Sequence, residues 1–80
     1  LSAMPALIGR LIKQYDQRLD FHDFRMVKGT GHTNLIFDIV MPHAMGGQEK
    51  AIKKALENAL AELDQGTFYL VITFDRSSFS

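Results

Sequence analysis

The chain opens with apolar residues at helical spacing. Leu7, Ile8, Leu11, Ile12, Tyr15 and Leu19 recur every three to four positions, and Arg10, Lys13, Gln14 and Gln17 fill the opposite side. Pro5 suits a first helical turn and Ser2 an upstream cap, so a helix is predicted from Met4 to Arg18. The pattern then switches to strands. Phe21 to Lys28 supplies Phe24, Met26 and Val27 as apolar content, and Lys28-Gly29-Thr30-Gly31-His32 is turn chemistry in which either glycine can take positive φ. Thr33 to Met41 alternates most clearly: Leu35, Phe37, Ile39 and Met41 point one way, Asn34, Ile36, Asp38 and Val40 the other. So short a turn between them predicts an antiparallel hairpin.

Pro42 ends that strand, and His43-Ala44-Met45-Gly46-Gly47 reads as a loop. A second amphipathic helix is predicted from Gln48 to Leu63, with Ile52, Ala55, Leu56, Ala59, Leu60 and Leu63 as its stripe and Glu49 facing Lys53 one turn on. Gly66 is the expected stop. Phe68 to Asp75 is the last strand, with Phe68, Leu70, Ile72 and Phe74 on one face and Tyr69, Val71, Thr73 and Asp75 on the other; Arg76 to Ser80 reads as a short mobile tail. The order α-β-β-α-β predicts an α+β domain spanning residues 1–80. Two helices, each with one apolar stripe, cover only one face of a three-stranded sheet. The other face, carrying Ile36, Val40, Tyr69 and Val71, is mixed and reads as a partner surface, most economically for a second copy.

Eighty residues with 46% hydrophobic content support one small core. A core of this size typically supplies ~3–5 kcal/mol, so a second stabiliser is expected. The chain has no cysteine, which leaves oligomerisation or a metal held by oxygen and nitrogen donors. Nine basic and nine acidic side chains cancel, which argues against nucleic acid as a partner. No apolar run approaches a membrane span. The start at Leu1, without an initiator methionine, suggests a piece of a longer protein whose native partner is the rest of its own chain.

Chemistry-bearing residues sit on the strands. His22 and Asp23 open the first, Asp38 interrupts the apolar run of the second, and Asp75 closes the third. Gathered on one sheet, such groups form a divalent-metal site. No catalytic constellation appears. Gly29-Thr30-Gly31 lacks a phosphate-loop lysine and leads into a strand, and the serines cluster in the tail, so an enzyme is not expected.

The tetrapeptide His22-Asp23-Phe24-Arg25 after a first helix resembles the histidine-aspartate-leucine-arginine signature of the C-terminal cytoplasmic domain of cation diffusion facilitator transporters. The hairpin, the helix rich in alanine and leucine, and the last strand ending in aspartate agree in order, over essentially the whole chain. The resemblance implies a ferredoxin-like, metallochaperone-like fold that dimerises beneath its own transmembrane domain at a cell membrane. It also implies a regulatory role in divalent-cation efflux by cation:proton antiport, with metal bound between protomers. Zinc is the first candidate, with manganese, iron and cadmium behind it. On the same basis His22 and Asp75 match family ligands, and Asp38 stands where many members place a histidine. Two family ligand positions are lost, at Thr73 and around Lys50 and Ala51, so a two-zinc cluster cannot form intact. Either one metal is held by fewer ligands, or the domain only dimerises.

Plainer readings stand beside these. His22 is also a surface histidine bonded to a carboxylate, Asp75 a strand terminator, Asp38 an outward-facing aspartate, and Asp23 the group that orients His22. His32 and His43 read as solvated loop residues, Lys50, Lys53 and Lys54 as a solvated helix face, and the methionines as core filler. The rival function is a ferredoxin-like module binding a small organic ligand or protein at the open face near Tyr69 and Val71. An acyl-phosphate hydrolase built on Arg25 and Asn34 is a distant third.

Overall fold

The computed structural model describes residues 3–77. Its elements follow the expected order: α1 (Met4–Tyr15), β1 (Asp20–Gly29), β2 (His32–Pro42), a 3-10 turn (His43–Met45), α2 (Glu49–Leu63) and β3 (Phe68–Ser77). The sheet order is β1-β2-β3, with β1 antiparallel and β3 parallel to β2. Both helices lie over one face, where Ile8 and Ile12 of α1 and Ile52, Leu56 and Leu60 of α2 meet Leu35, Phe37, Ile39 and Met41 of β2. All of these are buried, as the alternation of β2 requires. The radius of gyration, 12.5 Å, is near the roughly 12 Å of a compact chain of this length. No helix among the described residues is long and apolar enough to cross a membrane.

Several local outcomes differ from expectation. The proposed cap Ser2 lies outside the described residues, and the N-cap position is Ala3, without a side-chain cap bond. Helix α1 ends at Tyr15, not Arg18, because Asp16 turns extended and folds its carboxylate onto Arg18. It accepts from the Arg18 backbone N–H at 2.9 Å and from the guanidinium at 3.0 and 2.9 Å. Lys13 reaches past the helix end to the Gln17 carbonyl, a cation where the helix dipole favours one. Leu19 therefore leaves the helix but still buries fully. Helix α2 ends at Asp64, which takes the left-handed conformation (φ 53°) expected of a glycine; Gly66 does so two residues later, at φ 110°. Asp is among the few residues that tolerate this region. In the hairpin turn Gly31 takes positive φ, whereas Gly29 stays in β1.

At the far end, β3 continues through Arg76 and Ser77, which had been assigned to the tail; residues 78–80 lie outside the described part. Arg76 extends β3 because its guanidinium is held at 3.1 Å by Glu49, whose other oxygen accepts the Gly47 N–H at 2.9 Å. The Glu49 carboxylate thus ties the start of α2 to the end of β3, where a pairing with Lys53 had been expected. Met45, placed in a loop by its neighbours, is buried and packs in the core.

Candidate metal centre

The site begins with a conflict inside β1. Phe21 and Phe24 are three apart, so strict alternation would send one of them to each face. The core takes both. His22 pairs with Asp38 and Arg25 with Ile36, so Asp23 and Phe24 together stand opposite Phe37. This is a β-bulge. Its energetic reason is aromatic packing: the Phe21 ring sits edge-on to Phe24 and Phe37 at 6.1 and 6.0 Å, and Phe24 stacks on Phe37 at 5.9 Å. The extra residue is Asp23, at φ 58°, a conformation open to Asp at modest cost.

The bulge decides where the polar groups go. On β1 it leaves both His22 and Arg25 on the open face, His22 directly across from Asp38. His22 Nδ1 lies 3.0 Å from Asp23 Oδ2 and 3.6 Å from Asp38 Oδ2. Asp38 is the more sheltered carboxylate, with a side chain 24% exposed against 71% for Asp23. The bond from His22, and then its nearby charge, hold the Asp23 carboxyl below its ordinary value. Asp23 thus orients the imidazole, as expected, and also brings an oxygen into the group.

His22, Asp23 and Asp38 each offer one donor atom, all within 4.8 Å of one another. Bonds of 2.0–2.2 Å to a tetrahedral cation require donors roughly 3.3–3.6 Å apart, so the observed 3.0 and 3.6 Å separations need only small side-chain adjustments. One imidazole and two carboxylates form a donor set that suits zinc or manganese better than softer ions. The same three groups also satisfy one another as a surface hydrogen-bonded cluster.

The other candidates fall elsewhere. Asp75 is exposed and pairs with Val40, while Thr73 is the neighbour of Asp38. Asp75 lies on the same face, one strand across and one rung on, outside the three-residue group. His32 is in β2, not a loop. Its ring stacks on Tyr69 with centroids 4.3 Å apart, Nδ1 bonds the Thr30 carbonyl and Nε2 meets the Asn34 amide. His43 is exposed at the start of the 3-10 turn. Arg25 and Asn34 lie on different rungs, Arg25 across from Ile36 and Asn34 from Val27. Sequence reasoning passed over Asp23 as a donor. The signal that could have found it is the Phe21–Phe24 spacing, since two core-facing aromatics three apart in a strand require an inserted residue.

Comparisons with protein-family models, curated proteins and solved structures give no match.

Proposed function

We propose that this chain is the regulatory and dimerising domain of a divalent-cation efflux transporter, working beneath that protein's own membrane domain on the cytoplasmic side. The observation that carries the reading is the bulge, which aligns His22 beside Asp38 and adds the Asp23 oxygen on an otherwise mixed sheet face. Zinc is the favoured cation, manganese the next. A bound cation would neutralise the carboxylates and compete with the proton on His22. The chain's own part is to hold imidazole and carboxylates within one coordination sphere, with water or a partner completing it. All three donors belong to one protomer, which fits a single cation per copy better than a cluster shared between copies. The agreement of His22-Asp23-Phe24-Arg25 with the transporter signature supports the same reading.

Calorimetric titration with zinc and with manganese tests it. The intact chain is expected to bind about one cation, and His22→Ala and Asp38→Ala each to weaken binding at least ~10-fold. Binding unchanged in both variants would remove these residues as ligands. A second reading is favoured by the half-exposed Val27, Tyr69 and Val71 on the open face: a module that docks an organic ligand or a protein there without metal. It predicts binding unaffected by chelator.

A further inference from the structure

The two outer strands of the sheet end differently, and the difference identifies an assembly surface. Thr33 N–H donates to the Thr67 carbonyl at 2.9 Å, and Thr33 pairs with Phe68. In a parallel ladder this alternation directs the backbone groups of Tyr69, Val71 and Thr73 inward to β2. Those of Phe68, Leu70, Ile72 and Phe74 face the free edge. Among the described residues no further strand pairs with this edge. Phe68 to Phe74 contains no charge, proline or glycine, and it is rich in β-branched and aromatic residues. Such an edge is a template for another strand. β1 is the opposite case: the Asp23 bulge breaks its edge, and Asp20, Asp23, Arg25 and Lys28 charge it.

We infer that β3 is a strand-addition edge and that its occupant is the β3 of a second copy, paired antiparallel about a two-fold axis. Only β3 offers an unbroken edge, so β3 joined to β1 in an open chain is disfavoured and the isologous pair closes at two. With Val71 on the axis, side chains of like kind share a face. Val71 meets Val71 of the second copy, Tyr69 meets Thr73, Leu70 meets Ile72, and Asp75 meets Thr67. No like charges oppose one another in this register. The result is one continuous sheet with the helices of both copies on the same side. It covers the half-exposed Val71, which is 50% exposed in the single chain. The seam lies at the opposite edge of the sheet from β1, so each copy keeps its own His22–Asp38 group and the pair forms without metal. The inference needs only the sheet and stands whether or not that group holds a cation.

Sedimentation velocity from micromolar to millimolar concentration, with and without chelator, provides the test, together with amide exchange by NMR. The expected result is a chelator-insensitive dimer in which the amides of Phe68, Leu70, Ile72 and Phe74 are protected. Val71→Lys and Val71→Glu should each weaken association ~10-fold or more, and mixing the two should restore it. Tyr69→Lys is the second variant should position 71 disturb folding. Val27→Lys, equally exposed at 49% but on β1, should leave association unchanged. A monomer at every concentration overturns the inference. So does a dimer whose four edge amides exchange freely, or one that Val27→Lys disrupts as strongly as Val71→Lys, the mark of face-to-face packing. A dimer that needs metal also overturns it, while leaving the cation reading intact.

Discussion

β1 and β3 flank the same central strand, β1 packing against α1 and β3 against α2, yet they resolve their exposed edges in opposite ways. β1 gives up ladder regularity at Asp23 to seat both Phe21 and Phe24 in the core, and the interruption brings an imidazole and two carboxylates together on the outer face. β3 keeps an unbroken ten-residue ladder with β2 and carries its polar side chains mainly at the end, where Arg76 locks to Glu49. A local irregularity, forced by apolar packing, is thus what concentrates chemistry on one side of the sheet, whereas regularity leaves the other side fit for pairing.

The strongest way to break the contrast is to remove its shared support. Phe37 stands opposite the bulge, is fully buried and touches both β1 aromatics. Phe37→Ala is expected to cost ~3–5 kcal/mol by urea denaturation and to abolish cation binding with it. A loss below 1 kcal/mol, with binding kept, would show that the aromatic cluster does not hold the bulge.

A gentler change separates the bulge from its carboxylate. Asp23→Val places a β-branched residue at φ 58° and should cost roughly 1–2 kcal/mol. Asp23→Gly should stay within ~1 kcal/mol of the parent, because glycine accepts that conformation, while weakening the cation site. Equal destabilisation by both would mean the carboxylate, not the backbone, stabilises this turn.

Smaller still is the acid response of the helix α1 end. The side-chain bond from Arg18, with its backbone N–H and charge, lowers the Asp16 pKa to about 2. Stability from this ionised group is present above its unfolded value, near 3.8, and is lost as pH falls through about 2. The stability difference between the parent and Asp16→Ala should therefore shrink as pH drops from ~4 to ~2. A gap that stays constant over that interval in acid-titrated thermal melts contradicts the assignment.

Much of this molecule could be read from its letters where one period ran without conflict. β2 alternates cleanly, and Leu35, Phe37, Ile39 and Met41 are all buried as anticipated. The stripe of α2 likewise buries Ile52, Leu56 and Leu60. Reading failed where a particular side-chain bond or backbone conformation overrode the periodic pattern. Asp16 ended α1 early through Arg18, Glu49 chose Arg76 over Lys53, and Asp64 took a glycine's conformation. At the candidate site His22 and Asp38 were legible as strand residues, but their adjacency was not: the register set at the turn, where Gly29 pairs with His32, would place His22 across from Ile39, and the bulge shifts it to Asp38. Asp23 was not legible as a donor, because its position depends on how three phenylalanines pack. Asp75 joins them in the sequence through its place at the end of the last strand and through the family resemblance; the parallel register sets it across from Val40, one rung beyond Asp38.

The most direct measurement follows the imidazole resonances of His22, His32 and His43 by NMR during zinc titration, in the parent and in Asp38→Asn. The cation reading requires His22 to respond first, at substoichiometric zinc, with His32 and His43 following only in excess, and requires that priority to vanish in Asp38→Asn. Simultaneous response of all three rings, or a His22 response indifferent to Asp38, would contradict it.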